Sequence, residues 1–252
     1  MADLAGKRAM VTGGGTGIGA AIARALAEAG AEVFIAGRRV DVLHETAGAI
    51  GLTRAYCLVL DVASDASVAA ASDVLGHVDI LVNNAGQAKS APFRKSDMAL
   101  LDAMLDVNVR GTWRVTQAAL PAMAKRGWGR VINIASTAGL RGYAYVSAYV
   151  AAKHAVVGLT RALALEFAQQ GVTVNAVCPG FTETPLLDAA VANIAATTGR
   201  DEAAARAELA RDNPQGRLVR PEEVANAVLW LAGADAGAIN GQSIAVCGGE
   251  VM

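Results

Sequence analysis

Two apolar rhythms alternate along the chain. Seven short runs, RAMV (8–11), EVFIA (32–36), AYCLVL (55–60), DILVN (79–83), RVINIA (130–135), VTVNAV (172–177) and SIAV (243–246), are apolar almost throughout. Between them lie longer stretches with helical spacing, such as IGAAIARALAEAG (18–30) and YVAAKHAVVGLTRALALEFAQQ (149–170). Continuously apolar strands separated by helices predict parallel strands with crossover helices on both faces. The expected architecture is a doubly wound α/β sheet of about seven strands.

No repeat, Pro/Gly/Ser linker or charged tail marks a second domain, so residues 1–252 read as one domain. One excursion interrupts the alternation. From Pro185 to about Arg217 the text PLLDAAVANIAATTGRDEAAARAELARDNPQGR lies between the sixth strand and the next helix, longer than the usual connection. Beside a strand's carboxyl end such a segment reads as a substrate lid. Leu186, Leu187, Val191 and Ile194 give it an apolar face for an acyl chain or, equally, for packing on the domain core or a second subunit.

Composition narrows the function classes. The 252 residues carry a formal net charge of -1, with no basic run, which points away from nucleic acid. The opening MADLAGKRAM lacks a secretory pattern and no apolar run reaches membrane-spanning length, so a soluble cytoplasmic protein is expected. Cys57, Cys178 and Cys247 sit in or beside apolar strand-like runs and are expected to be reduced, buried thiols. None has a second metal-type ligand nearby, and no metal is expected.

Polar residues that break the apolar pattern carry the candidate chemistry. The first strand runs into Thr12-Gly13-Gly14-Gly15-Thr16-Gly17-Ile18-Gly19 and then a helix, the order needed for glycine backbone to approach a pyrophosphate at a helix N-terminus. The second strand ends in Ala36-Gly37-Arg38-Arg39, with no carboxylate for the ribose hydroxyls of NAD. A guanidinium suits a 2′-phosphate, so NADP(H) is favoured and NAD(H) is the alternative. Both arginines are also compatible with a solvated helix start. Asp61-Val62 closes the third strand, either at an adenine edge or with Asp61 as a helix N-cap. Asn83-Asn84-Ala85-Gly86 ends the fourth strand. Asn108 interrupts LLDAMLDVNVRGTWRVTQAAL, and an asparagine buried there needs partners. Ser136 follows the fifth strand, and Tyr149 and Lys153 share one helical face four residues apart.

Taken together, TGGGTGIG, NNAG, Asn108, Ser136 and Tyr149-x3-Lys153 resemble the short, single-domain branch of the short-chain dehydrogenase/reductases, from about Lys7 to Gly249. The resemblance implies a Rossmann-like fold and a metal-free hydride transfer between NAD(P)(H) and a small carbonyl or alcohol. It implies that Tyr149 is the acid/base, that Ser136 bonds the carbonyl oxygen, that Lys153 grips the nicotinamide ribose and lowers the phenol's pKa, and that Asn108 holds a water joined to Lys153. Bringing a phenol from about 10 to about 7 would ask for ~4 kcal/mol. Gly13, Gly15, Thr16, Gly17, Ile18, Gly19, Arg38, Asp61, Val62, Asn83, Ala85, Gly86, Tyr149 and Lys153 would bind the cofactor. Pro179, Gly180, Thr182 and Thr184 would fix its carboxamide.

Within the family the chain looks most like 3-oxoacyl thioester reductases and aromatic polyketide ketoreductases. Carrier-protein reductases often place an arginine where Gln170 stands, so a CoA thioester or small ketone is preferred to an acyl carrier protein. Hydroxybutyrate dehydrogenases commonly place a carboxylate-binding lysine where Val146 stands, which leaves an NAD-dependent dehydrogenase of a small hydroxy acid, hydroxyacyl-CoA or secondary alcohol as the alternative. The presence of both Tyr149 and Lys153 argues against a non-enzymatic dinucleotide sensor. The branch commonly forms homotetramers, for which Trp113 is a candidate anchor and Ala148, Ala151, Ala152 and Ala155 offer close approach.

Overall fold

A computed structural model describes residues 2–53 and 56–252. Its strands are β1 Arg8–Thr12, β2 Glu32–Gly37, β3 Cys57–Val59, β4 Ile80–Asn83, β5 Gly129–Ile134, β6 Val172–Pro179 and β7 Ser243–Val246. The α-helices are α1 Gly17–Glu28, α2 Val40–Ala49, α3 Asp65–Leu75, α4 Met98–Leu105, α5 Gly111–Arg126, α6 Ser147–Phe167, α7 Pro185–Thr198, α8 Glu202–Ala210 and α9 Pro221–Ala232. All seven strands join one sheet in the order β3-β2-β1-β4-β5-β6-β7, every pairing parallel. The expected doubly wound sheet is what the chain forms.

The period-2 alternation of a strand splits the core in two. Ala9, Val11, Val33, Ile35, Ile80 and Val82 face a cluster with α1, α2 and α9. Met10, Phe34, Ala36 and Leu81 face the opposite cluster with α3, α5 and α6. Central β4, β5 and β6 are buried along their whole length, whereas edge strands β3 and β7 are partly exposed. Cys57 accordingly lies half-buried on β3, unlike the buried Cys178 and Cys247. Strand β3 is shorter than the expected run 55–60, whose first residue, Ala55, lies outside the described residues. Strand β6 continues past the expected Val177 to Pro179, which needs no N–H at a strand's last position.

Strand order reverses beside β1. The chain winds outward through β2 and β3, then returns to place β4 on the other flank of β1. In open α/β sheets the crevice beyond the strand carboxyl ends at such a point binds ligands. The excursion 185–217 folds as two helices whose own apolar faces meet: Leu187, Val191, Ala205 and Leu218 are buried together, with Ile194 packed on them. Of the four residues offered for an acyl chain, only Leu186 stays exposed. The excursion leaves and returns through one neck, where Glu183 N donates to Val219 O (2.9 Å) and Val219 N to Phe181 O (2.9 Å). No helix of the described residues is long and apolar enough to cross a membrane.

Candidate active site

The glycine loop is tied directly to the end of β4. Thr12 Oγ1 accepts from Asn84 N (3.0 Å) and Ala85 N (3.0 Å), while Asn84 Nδ2 donates to Thr12 O (3.0 Å) and Gly13 O (3.1 Å). Gly13 takes a left-handed φ of 65°, and a Cβ there would stand 2.9 Å from Asn84 Nδ2. A Cβ on Gly19 would meet Gly13 O at 2.2 Å, an impossible approach, so α1 begins closer to the loop than any side chain permits. Gly15 O accepts from Thr46 Oγ1 (2.7 Å). Thr16 is the exposed N-cap of α1 with no side-chain capping bond, and Ile18 is half-buried against the core.

Adjacent asparagines at the end of β4 separate by face, as strand geometry requires. Asn83 is 4% exposed and donates to Thr116 Oγ1 (2.8 Å) and Asn133 Oδ1 (2.9 Å). Asn133 in turn donates to Thr160 Oγ1 (2.8 Å), so a buried polar ladder links α5, β4, β5 and α6. The side chain expected at the cofactor is therefore structural, and Asn84, left out of the expected set, organises the glycine loop. Gly86 beyond it is exposed.

At the end of β2, Arg38 and Arg39 are exposed, and neither makes an ion pair among the described residues. Asp61 is not a helix cap: Ser64 caps α3, and Asp61 Oδ1 accepts from Ala63 N (3.0 Å) in the preceding turn. Val62 is buried against Gly111, where an added Cβ would stand 2.7 Å from Val62 Cγ2.

Three elements bring the polar residues of the middle of the chain together. Between α4 and α5 the helix widens into one π turn, Asp106–Arg110, at Asn108. Such turns insert an extra residue and re-aim a side chain, often at functional sites. Asn108 is 1% exposed; its Nδ2 donates to Gln87 O (2.9 Å) and Met104 O (3.0 Å). Its Oδ1 looks toward Gly86, where an added Cβ would stand 2.8 Å from that oxygen and 3.7 Å from Lys153 Nζ. Lys153, 5% exposed on α6, donates to Ile134 O (2.8 Å), and its Nζ lies 5.6 Å from the Tyr149 ring centroid. Ser136 hydrogen-bonds the Tyr149 phenol, and its Oγ also accepts from Ala138 N (3.1 Å). The four candidate catalytic residues thus share one region at the carboxyl ends of β4 and β5.

Burial acts on this region in opposite senses. It pushes the Tyr149 phenol up to about 12, against the Ser136 hydrogen bond, because phenolate loses water it cannot replace. It pulls Lys153 down to about 8 by disfavouring the ammonium. Within the chain Ser136 lowers the phenol, and burial outweighs it. Cys178 lies beneath the site, hydrogen-bonded to the Ser136 main chain and raised to about 11 by burial.

Residues 179–184 cross from β6 to α7. Gly180 N donates to Val246 O (3.0 Å) and Pro179 pairs with Val246 in the sheet. Thr182 Oγ1 donates to Gly180 O (2.9 Å), and Thr184 caps α7, accepting from Leu187 N (3.3 Å). Thr184 Oγ1 also donates to Thr182 O (3.2 Å), so each hydroxyl spends its single proton locally and keeps acceptor capacity. The Thr184 methyl lies 2.9 Å from where a Cβ on Gly17 would be, which closes the segment over the glycine loop.

Sequence reasoning missed Asn84, Gln87, Tyr143 and Glu250. For Asn84 a signal existed: of two adjacent strand residues, one must face away from the other. The remaining three meet their partners only through tertiary contacts. The cradle that glycine provides between β1 and α1, with no acidic residue in the helix's first turn, fits a dinucleotide pyrophosphate.

Comparison with known proteins agrees with this geometry. The short chain dehydrogenase family model matches residues 7–195. A D-beta-hydroxybutyrate dehydrogenase of Rhizobium meliloti is 38% identical over 252 residues, covering 96% of this chain and 98% of its own. A Streptomyces coelicolor protein provisionally named a ketoacyl reductase is 41% identical over 256 residues, covering 96% and 95%. Among solved structures, a variant of actinorhodin polyketide ketoreductase with NADPH superposes with a TM-score of 0.90 at 38% identity, covering 99% of both chains. A parallel sheet that reverses order beside β1, a glycine cradle at that reversal and the Asn108-Ser136-Tyr149-Lys153 group beside it leave one conclusion: the chain belongs to the short-chain dehydrogenase/reductases and is an NAD(P)-dependent oxidoreductase acting between alcohol and ketone.

Proposed function

We propose that the chain is an NADP(H)-dependent reductase that converts the ketone of a 3-oxoacyl thioester, carried on CoA rather than on a carrier protein, into a secondary alcohol. The convergence of Ser136, Tyr149, Lys153 and Asn108 on the space beside Gly86 carries the reading. When bound, NADP(H) supplies the hydride taken up by the carbonyl carbon. Ser136 and Tyr149 hold the carbonyl oxygen, and Tyr149 delivers the proton. A phenol held near 12 keeps that proton throughout neutral pH, the form a donor needs. Lys153 and the glycine cradle orient the cofactor, and residues 185–217 act as a lid within a single catalytic domain. The buried thiols of Cys178 and Cys247 are in keeping with a cytoplasmic setting.

The cofactor preference rests on Arg38 and Arg39, two exposed guanidinium groups at the end of β2 that make no ion pair among the described residues, and is supported by the NADPH of the ketoreductase relative. Arg38→Ala is expected to weaken NADPH binding by roughly tens of fold and to leave NADH nearly unchanged. Side-by-side fluorescence titrations check this, and a wild-type preference for NADH would overturn it. The hydroxybutyrate dehydrogenase relative favours a second reading, an NAD-dependent dehydrogenase of a small hydroxy acid. Val146 stands at the N-cap of α6, where it offers no cation to a substrate carboxylate. NADPH consumption with acetoacetyl-CoA, carrier-bound and short thioesters, simple ketones and acetoacetate separates the readings. Turnover confined to acetoacetate with NADH would replace the first by the second.

A homotetramer is proposed for the assembly. Trp113 on α5 is 53% exposed and Leu165 on α6 is 83% exposed, two large apolar side chains on the helices that carry the site. Ala148 and Ala152 are buried against Met104 within the chain, so only Ala151 and Ala155 remain for close approach by a second copy.

A further inference from the structure

Glu250, two residues before Met252, is a buried carboxyl side chain unused by the chemistry described above. Its side chain is 2% exposed. Arg141 Nη2 donates to its Oε1 (3.0 Å), Arg141 Nη1 approaches its main-chain oxygen (3.5 Å), and the Tyr143 hydroxyl also bonds Oε1. Its Oε2 would stand 2.8 Å from a Cβ on Gly180.

Each partner leads to a different wall of the active site. The Tyr143 hydroxyl also reaches Thr137 Oγ1 (2.8 Å), one residue beyond Ser136. Its ring lies edge-on to Phe181, 6.3 Å between centroids, one residue beyond Gly180. Arg141 Nη2 reaches Asp212 (3.1 Å), where the excursion returns from α8. Gly248 and Gly249 press against Asn213 and Pro214 in the same return. Glu250 therefore stands where the loop between Ser136 and Tyr149, the start of the 180–184 segment and the return of the lid converge.

That loop needs bracing. Tyr145 has a left-handed φ of 67°, a conformation costly for a residue with a Cβ, which persists only where surrounding bonds over-determine it. One brace is Ala91 N to Tyr145 O (2.8 Å). The Glu250 bonds to Arg141 and Tyr143 fix the loop's other end.

We infer that Glu250 is a positioning residue for the ketone: it draws the Tyr143 hydroxyl away from the substrate, presents that ring as an apolar wall beside Ser136, and locks the wall to the lid. The inference builds on the oxidoreductase reading of this site but not on the choice of thioester, since its test uses whichever ketone the wild type reduces best.

The test compares Glu250→Ala, Glu250→Gln, Tyr143→Phe and the Glu250→Ala/Tyr143→Phe double variant in KM, kcat, enantiomeric ratio of the alcohol and NADPH affinity. Expected for Glu250→Ala are a KM raised about tenfold, kcat within roughly twofold, an eroded enantiomeric ratio and unchanged NADPH affinity. Glutamine, which keeps an acceptor for Tyr143, should restore most of the loss, and the alanine effect should shrink once Tyr143 lacks its hydroxyl. An unchanged KM and enantiomeric ratio, a glutamine variant as impaired as alanine, or a parallel loss of NADPH affinity overturns the inference. Should Glu250→Ala not fold, Tyr143→Ala, which removes the wall itself, decides it: NADPH affinity must be kept, with KM raised and the enantiomeric ratio eroded, and an unaltered enantiomeric ratio rejects the inference.

Discussion

Tyr149 and Lys153 show how one environment sets two groups to different tasks. Burial holds the phenol protonated and weakens the ammonium's grip on its proton. Replacing Tyr149 by Phe keeps the ring and removes the transferable proton, so kcat is expected to fall about a thousandfold with NADPH affinity intact. More than a tenth of wild-type activity would assign the proton to another group. Lys153 also leaves a mark on stability. Its folded pKa of about 8 lies below the unfolded value near 10.5, so between those values the unfolded chain binds the proton that the folded chain has released. The burial penalty is thus fully present below pH 8 and is relieved as pH rises. Cys178 acts the other way above about 9, since its folded pKa is raised to about 11. Denaturant titrations from pH 8 to 10 should therefore show wild type gaining on Lys153→Met by on the order of 2 kcal/mol. A gap that stays constant across this range would mean that Lys153 titrates normally.

At the scale of elements, the site is made by departures from regular geometry. A continuous α-helix through residues 98–126 would keep its periodicity, but the π turn at 106–110 lets Asn108 face Gly86 and Lys153 while flanking residues hold the core. The glycine loop is likewise held by a few strand-end bonds. Gly19→Ala is expected to be the most damaging small change in the loop, because its methyl would meet the Gly13 carbonyl oxygen. A stability loss of roughly 3 kcal/mol with loss of NADPH binding is expected, read by chemical denaturation and titration. Wild-type affinity in a folded Gly19→Ala protein would show that the loop relaxes at little cost.

For the whole molecule, the surface left by the fold sets the expected assembly. The edge of β7 is open, and Trp113 and Leu165 project from the helices that carry Asn108 and Tyr149. A stable monomer gains nothing from exposing such groups, whereas two-fold partners would cover them and stiffen the helices that carry Asn108 and Tyr149. Trp113→Ala is expected to shift light scattering from tetramer toward smaller species at micromolar concentration and to lower activity in parallel. A wild-type protein that is monomeric and fully active would reject this assembly.

The amino-acid order alone determined the seven strands, the sheet class and the glycine loop, because these depend on local periodicity and on motifs of short span, while the Asn108-Ser136-Tyr149-Lys153 group was named by resemblance to the family. Even there, edges were blurred: β6 runs to Pro179, and Asp61 yields the helix cap to Ser64. Tertiary structure decided which side of the sheet each polar residue serves. It sent Asn83 into the buried ladder and Asn84 to the glycine loop, buried Leu187 and Val191 of the 185–217 excursion with Ala205, and gave the protons of the Thr182 and Thr184 hydroxyls to local bonds. It also brought Glu250 to Tyr143, 107 positions away in sequence, and packed Tyr149 so that burial raises its phenol. A pattern along the chain records which residues repeat with a helix or strand. Burial and the pairing of distant polar groups are set only when the sheet closes, because desolvation depends on everything that packs around a group.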